Sequence, residues 1–184
     1  VVDLDFGTSP KAKENQNVII VQLNINNVQA DGMPVRNEIK ILDSIENTLV
    51  NNLSSVLNAQ YTGRYTRNGR RDFYFYSNDT SDYKQHIKTV LQLFPAYTWT
   101  VLVNRDADLS NYLNVLYPTQ KEMERIQNRR LVDALHTKGD QLTAARKVDH
   151  FLFFKTETDR KKFAGVVQDS GFVVENACKE ISVK

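Results

Sequence analysis

The order of strand and helix patterns along this 184-residue chain predicts an α+β protein that begins with a ferredoxin-like domain. From residue 18 the patterns run strand, helix, strand, strand, helix, strand. Asn68-Gly69 lies between two β-rich runs, which is the strongest short signal for a hairpin. This order predicts an antiparallel sheet with two helices on one of its faces.

Periodicity defines each element of this first part. "VIIVQLNIN" (18–26) alternates as a strand does, and residues 35–58 carry apolar side chains at helical spacings of three and four. After the hairpin at 61–76, residues 78–94 repeat the helical pattern and Pro95 ends it. Residues 97–104 then predict the last strand of the sheet.

A second unit is predicted after Pro118, so we expect domains at residues 1–117 and 118–184. A helix over 121–138 ends at Gly139, and a strand over 148–154 leads to Thr156, a candidate N-cap. A further helix stops at Gly171, and Phe172 begins a last strand. This αβαβ order predicts a smaller, truncated ferredoxin-like unit. Two strands rarely close a core, so its open sheet edge needs a partner.

Composition limits the classes of function. The formal net charge is only +2, so nucleic-acid binding would require a local patch rather than the charge of the whole chain. One cysteine, Cys178, excludes an intrachain disulfide framework and favours the cytoplasm. No apolar run approaches the roughly 20 residues that cross a bilayer, so no membrane association is expected.

The hairpin "YTGRYTRNGRRDFYFY" (61–76) combines aromatic and arginine side chains. A two-residue turn pairs residues whose numbers sum to 137, which puts tyrosines on one face and Arg64, Arg71, Phe73 and Phe75 on the other. Because a charged guanidinium resists burial, we expect the arginine face to lie away from the helices. Such a face would suit either single-stranded RNA, through stacking and phosphate contacts, or another protein surface, such as the second domain.

No catalytic, metal or cofactor site is predicted, because no convergent set of a nucleophile, a base or metal ligands occurs. Asp149 and His150 are adjacent in the predicted strand, so they point to opposite faces and cannot form a dyad. Arg125 and Arg129 share a helix face and could bind an acidic partner. The candidate interaction residues are therefore Arg64, Arg71, Phe73, Phe75, Arg125, Arg129, Asp149 and His150.

The stretch "RIQNRRLVDALHTKGDQLTAARKVDHFLFFKTETDRKKFAGVVQDSGFVV" (125–174) resembles the family of the B-type regulator of ribonuclease E activity. The preceding residues, with "YTGRYTRNGRRDFYFY" and "LYPT", resemble a bacterial domain of unknown function that is often joined in front of it. The namesake of the regulator family binds ribonuclease E and inhibits RNA cleavage. The resemblance implies a non-catalytic protein that binds a ribonuclease and modulates RNA turnover. Self-association through the open sheet edge is the other expected use of the second unit.

Overall fold

The structure is a computed structural model that describes residues 1–144, 147 and 149–175. Its first part holds four strands: β1 (Asn17–Asn24), β2 (Gln60–Arg67), β3 (Arg70–Ser77) and β4 (Trp99–Arg105). The helices among the described residues are α1 (Pro10–Glu14), α2 (Arg36–Leu57), α3 (Tyr83–Leu91), α4 (Gln120–Thr137) and α5 (Glu157–Asp169). Single turns of 3-10 helix (Phe6–Thr8) and π-helix (Tyr112–Leu116) complete the set, so the α+β class is confirmed.

The strands form one antiparallel sheet in the order β2-β3-β1-β4. At the turn between β2 and β3, Asn68 and Gly69 both have positive φ, 47° and 75°, as a type I′ turn requires. The predicted pairing is correct from Gly63↔Tyr74 to Thr66↔Arg71. It fails beyond a bulge at Thr62, which places Tyr61 opposite Phe75 rather than opposite Tyr76.

One face of the sheet packs against α2 and α3. The apolar stripe of α2 meets side chains of β1 and β3, and α3 contributes three more buried residues to the same core. Complete burial of each of these side chains stabilises the fold by about 1.5–3 kcal/mol. The fully buried members from α2 and β3 are Leu42, Ile45, Leu49, Leu53, Phe73 and Phe75.

The opposite face of the sheet is also covered. Tyr74 and Tyr76 of β3 pack with Val18 and Ile20 of β1. Phe6 from the N-terminal segment and Tyr112 from the π-helical turn close over them, with ring centroids 5.4 Å apart. The pattern of residues 1–6 also suits a strand, but in the structure Val2 makes an isolated bridge with Gly63 and Phe6 begins the 3-10 turn.

The expected orientation of the hairpin is therefore wrong. Phe73 and Phe75 point toward the helices, whereas Tyr74 and Tyr76 lie on the opposite face. The physical reason is that α2 supplies carboxylates that neutralise Arg64 and Arg71, so the guanidinium groups can lie on the helix side.

The chain divides into two compact units, Val1–Asp133 and Ala134–Lys184, and the division falls inside α4. The expected boundary between residues 117 and 118 lies just before α4 and stays a prediction. α4 begins with a capping box, in which the Thr119 N–H donates to Glu122 at 2.9 Å and the Glu122 N–H donates to the Thr119 hydroxyl at 3.4 Å. Gly139 follows the helix with φ +89°, as predicted for a cap.

The second unit lacks the predicted strands within its described residues. Residues 149–154 and 172–175 have no regular secondary structure, so the expected strands at 148–154 and from Phe172 are wrong there. Val148 and residues 176–184 of those predictions lie outside the described residues. The helix α5 forms as expected, with the Thr156 hydroxyl accepting from the Asp159 N–H at 3.1 Å. Neither α4 nor α5 has a buried residue, and none of the described residues of Ala134–Lys184 is buried.

Gly63 provides a direct test of the packing on β2. Its φ is +148°, and an added Cβ would lie 2.5 Å from the Val1 carbonyl oxygen. We expect Gly63→Ala to lower the free energy of unfolding of this part by at least about 1 kcal/mol. Urea unfolding followed by the fluorescence of Trp99, the single tryptophan, measures this change.

The control for this substitution is Arg67→Ala, which changes an exposed side chain on the same strand. Equal unfolding free energies for Gly63→Ala and the unaltered chain would mean that residues 1–3 do not pack against Gly63 as described.

Candidate interaction surfaces

The arginines of the hairpin are held by acidic side chains of α2. Arg64 Nη1 lies 2.9 Å from Asp43 Oδ1 and also contacts Glu46. Arg71 Nη1 lies 3.6 Å from Asp43 Oδ1, and its Nε donates to the Thr66 hydroxyl at 3.1 Å. These carboxylates occupy the positions around the two guanidinium groups that phosphates of an RNA would need.

Burial and neighbouring charge act on both arginines. Burial alone would lower the pKa of Arg64, but hydrogen bonds and charge from Glu46 and Asp43 outweigh it and raise the pKa. Burial lowers the pKa of Arg71, and the positive charge of Arg64 lowers it further. The four groups form a balanced cluster of two cations and two anions, with the Tyr61 hydroxyl donating to Glu46 at 2.9 Å.

The phenylalanines of the hairpin cannot stack on bases. Phe73 and Phe75 have no solvent exposure, and Phe75 packs against the ring of Tyr61 at 5.1 Å. The exposed part of the hairpin is its turn, where Arg67 lies 5.4 Å over the ring of Tyr65. One stacked cation and ring at a turn do not form the aromatic platform that single-stranded RNA requires.

A network of buried hydrogen bonds surrounds Asp106, which follows β4. Asp106 accepts hydrogen bonds from the Tyr76 hydroxyl and from the Asn111 N–H. Tyr76 in turn accepts from the Tyr112 N–H at 3.1 Å. Burial raises the pKa of Tyr76, and its bond to Asp106 raises it further, so the phenol stays protonated and continues to donate. This arrangement fastens the π-helical turn to the sheet.

Glu38 at the start of α2 fixes the loop that follows β1. Its carboxylate accepts from the Tyr97 hydroxyl at 2.8 Å, from Asn27 Nδ2 at 3.0 Å and from the Asn26 N–H at 3.1 Å. Burial alone would raise the pKa of Glu38, but these hydrogen bonds outweigh it and the pKa is lowered. Burial and the nearby Glu38 charge raise the pKa of Tyr97 to about 12.

The predicted interaction residues that follow residue 117 are exposed to solvent. Arg125 and Arg129 are exposed on α4, and Arg129 Nε lies 3.0 Å from Asp133 Oδ1 one turn later. Asp149 is exposed near Lys147 Nζ, at 3.4 Å, and the exposed His150 ring lies 5.9 Å from that of Phe172. The structure therefore brings four of the eight predicted residues into one cluster inside the first unit. They are Arg64, Arg71, Phe73 and Phe75. The other four are not part of this cluster.

Apolar side chains of the second unit were not singled out from the sequence. Phe151 is 83% exposed, Phe153 is 79% exposed and Val173 is 82% exposed. Large apolar side chains that are exposed next to one another are a common feature of binding surfaces, and Phe151 and Phe153 are two residues apart in the chain. The signal in the sequence is the apolar run within "HFLFF" (150–154), which precedes the largely polar helix α5. We call Phe151, Phe153 and Val173 the exposed apolar set.

Other chemistry is limited in the described part of the chain. Among residues 1–144, 147 and 149–175, no group of three or more His, Cys, Asp or Glu side chains is placed to hold a metal ion. Within the same residues, no helix has the length and apolar character needed to cross a membrane. The expectation of no enzymatic activity stays a prediction.

Two family models match the chain. The family of unknown function DUF695 matches residues 1–117. The regulator of ribonuclease activity B matches residues 125–181. The predicted combination of these two families is confirmed. No curated protein and no solved structure matches the chain.

The Tyr76 network predicts a specific loss of stability. Tyr76→Phe removes the hydroxyl that bonds Asp106 and leaves that buried carboxylate with one fewer donor. We expect the free energy of unfolding to fall by about 1–3 kcal/mol, measured by urea unfolding with Trp99 fluorescence. Tyr65→Phe, at a tyrosine that is 39% exposed, is the matched control. Equal losses in the two variants would contradict the network.

Glu38 predicts a dependence of stability on acid. Because its folded pKa lies below the unfolded value of about 4.3, its contribution is present above that pH and is lost as pH falls through the folded pKa. We expect Glu38→Gln to flatten the loss of stability with acid in this window, measured by urea unfolding at a series of pH values. Glu14→Gln, at an exposed glutamate, controls for the loss of a carboxyl group. An acid profile identical to that of the unaltered chain would remove Glu38 from this role.

Proposed function

We propose that this chain, which belongs to the family of unknown function DUF695, is a non-catalytic protein that binds a ribonuclease and modulates RNA turnover. The match to a ribonuclease regulator follows the DUF695 region in the chain. The observation that carries this proposal is the match of residues 125–181 to the regulator of ribonuclease activity B. Ribonuclease E is the first enzyme to test, since the resemblance of residues 125–174 points to it.

The exposed apolar set supports a protein as the partner. Phe151 and Phe153 lie within the matched segment, and each leaves most of its side chain in water. Burying such a side chain in an interface contributes about 1.5–3 kcal/mol. Aromatic side chains that enter a partner's pocket are the usual centres of binding energy. A protein surface with apolar pockets could accept this segment.

Exposed charged side chains of the matched segment suit a role in association rate. Arg125 and Arg129 are exposed on α4, and Asp149 lies two residues before Phe151. Exposed charges at the rim of an interface steer encounter and orientation more than they add to affinity. We propose that Arg125, Arg129, Asp149 and His150 act in this way.

RNA binding through the hairpin is not favoured as a second function. Its arginines are neutralised by Asp43 and Glu46, and its phenylalanines are buried.

We propose in addition that the first unit is ferredoxin-like, which the strand order β2-β3-β1-β4 supports. The single cysteine supports the proposed location in the cytoplasm.

A ribonuclease assay tests the regulatory proposal. Purified full chain should slow the cleavage of a fluorescent RNA by purified ribonuclease E, and the double variant F151S/F153S should weaken this effect at least about tenfold. The control is Leu93→Ser, which changes a 68% exposed apolar residue outside the matched segment. Cleavage that is unaffected by the unaltered chain, with no complex in sedimentation, would defeat the proposal for this enzyme.

A further inference from the structure

The outer edge of β4 is unpaired in the described part of the chain. β4 is the last strand in the order β2-β3-β1-β4 and pairs only with β1 there. The other outer strand, β2, is lined by the N-terminal residues: the Asp3 N–H donates to the Thr62 carbonyl at 2.8 Å and the Arg64 N–H donates to the Val1 carbonyl at 2.9 Å. One edge of the sheet is thus covered, and the other presents main-chain groups that have no strand partner among the described residues.

The register identifies which main-chain groups point outward. The Asn24 N–H donates to the Thr98 carbonyl at 3.0 Å, and the Asp106 N–H donates to the Gln16 carbonyl at 2.7 Å. Even-numbered residues of this strand therefore turn their N–H and C=O groups toward β1. Because these directions alternate along an antiparallel strand, the groups that point away belong to odd-numbered residues: Trp99, Val101, Val103 and Arg105.

This edge has few of the features that keep strands apart, and its one charge, Arg105, stands at the last residue of β4. Natural edge strands are protected by charges, prolines, bulges or very short length. Residues 99–104, "WTVLVN", contain no charge, proline or glycine, and the pairing with β1 has no irregularity. Leu102 leaves 46% of its side chain exposed near the middle of the strand. Such an edge is suited to pairing with another strand.

We propose that β4 pairs with β4 of a second copy of this chain, antiparallel, about a two-fold axis through Leu102. The occupant is a second copy because the strand complements itself in this register. Residues whose numbers sum to 204 then face each other: Trp99 with Arg105, Thr100 with Asn104, Val101 with Val103, and Leu102 with its own copy. No like charges oppose one another. Arg105 comes opposite Trp99, where its guanidinium would exchange its present bond to Gln16 Oε1, at 2.9 Å, for a cation–π contact.

The same register satisfies the free main-chain groups. Trp99 with Arg105 and Val101 with Val103 become hydrogen-bonded pairs, each exchanging two N–H···O bonds, and each pair occurs twice by symmetry. If the register shifts by two residues in either direction, one outward-pointing residue of each strand no longer has a partner within Trp99–Arg105. The central Leu102 pair is of the non-hydrogen-bonded kind, whose Cα atoms lie about 4.5 Å apart.

The inference is independent of the ribonuclease proposal. β4 lies within residues 1–117, whereas the ribonuclease-regulator match covers residues 125–181. A chain can form this dimer without binding a ribonuclease, and the reverse also holds. A negative result in the ribonuclease assay therefore leaves the dimer proposal standing, and a negative result for the dimer leaves the ribonuclease proposal standing.

Cross-linking tests the register. In the full chain with Cys178→Ser, Leu102→Cys places two thiols at a spacing that falls in the disulfide range of about 4.4–6.8 Å between Cα atoms. Oxidised glutathione should convert most of this variant into a covalent dimer. Thr100→Cys is the matched control on the same face, because the two copies of residue 100 lie four residues apart, about 13 Å, and it should stay monomeric on denaturing gels.

Charge substitution tests the dimer without a covalent bond. Sedimentation velocity of the unaltered chain should give the mass of a dimer at micromolar concentration. Leu102→Lys should give a monomer, because the two lysines would oppose each other across the axis. Ile41→Lys, at a residue of α2 with a similar exposure of 43%, should remain a dimer. Mixing L102K with L102E should restore the dimer, and high salt should weaken it.

Each outcome decides the proposal. Cross-linking at position 102 but not 100, with recovery of the dimer in the mixed sample, supports it. A monomer at all concentrations, equal cross-linking at both positions, or a dimer that L102K does not weaken would overturn it. Circular dichroism of every variant identifies loss of folding, and the cysteine pair remains decisive if a lysine variant does not fold.

Discussion

The burial of β3 on both faces is the constraint on which the first unit depends. Six consecutive residues in the strand, Phe73 to Tyr76 with Arg71 and Asp72 before them, have almost no contact with solvent. A strand in this position requires a cover on each side of the sheet. α2 and α3 provide the cover for the phenylalanines, and the N-terminal segment with the π-helical turn provides it for the tyrosines.

Charge balance follows from the same constraint. Arg64 and Arg71 lie on the side covered by α2, where an unpaired guanidinium would be costly. Asp43 and Glu46 stand about one turn apart on α2. Asp43 contacts both guanidinium groups, and Glu46 contacts Arg64. Removal of one partner from such a set leaves a charge without compensation, which costs more than the pair contributes. Most of the basic and aromatic pattern of the hairpin is thus part of the interior, with Phe73 and Phe75 fully buried.

The sequence predicts those elements whose structure depends on neighbouring residues. The turn at Asn68-Gly69 fixes its own backbone, so the pairing near it was predictable, as were α2 and the Thr156 cap of α5. The bulge at Thr62 depends on the passage of residues 1–3 beside Gly63, which no neighbouring residue reveals. The orientation of the hairpin depends on Asp43 and Glu46, about twenty residues away in sequence. Their position beside the apolar stripe of α2 was the available signal.

The second unit shows the opposite case. "VDHFLFF" has the composition of a strand, yet residues 149–154 form none, since alternation alone cannot supply a neighbouring strand. Phe151 and Phe153 remain in water, whereas the aromatic side chains of β3 are enclosed. A chain with one closed core and one open apolar segment is suited to holding a stable scaffold while another molecule binds the open segment.

Native-state hydrogen exchange of the full chain tests this contrast most directly. The amides of Phe73 and Phe75 should exchange only through global unfolding of the first unit, because both lie in the interior of the sheet. The amides of Phe151, Leu152 and Phe153 should exchange close to the rate of an unstructured peptide. Protection of residues 151–153 equal to that of β3, or rapid exchange within β3, would contradict the account.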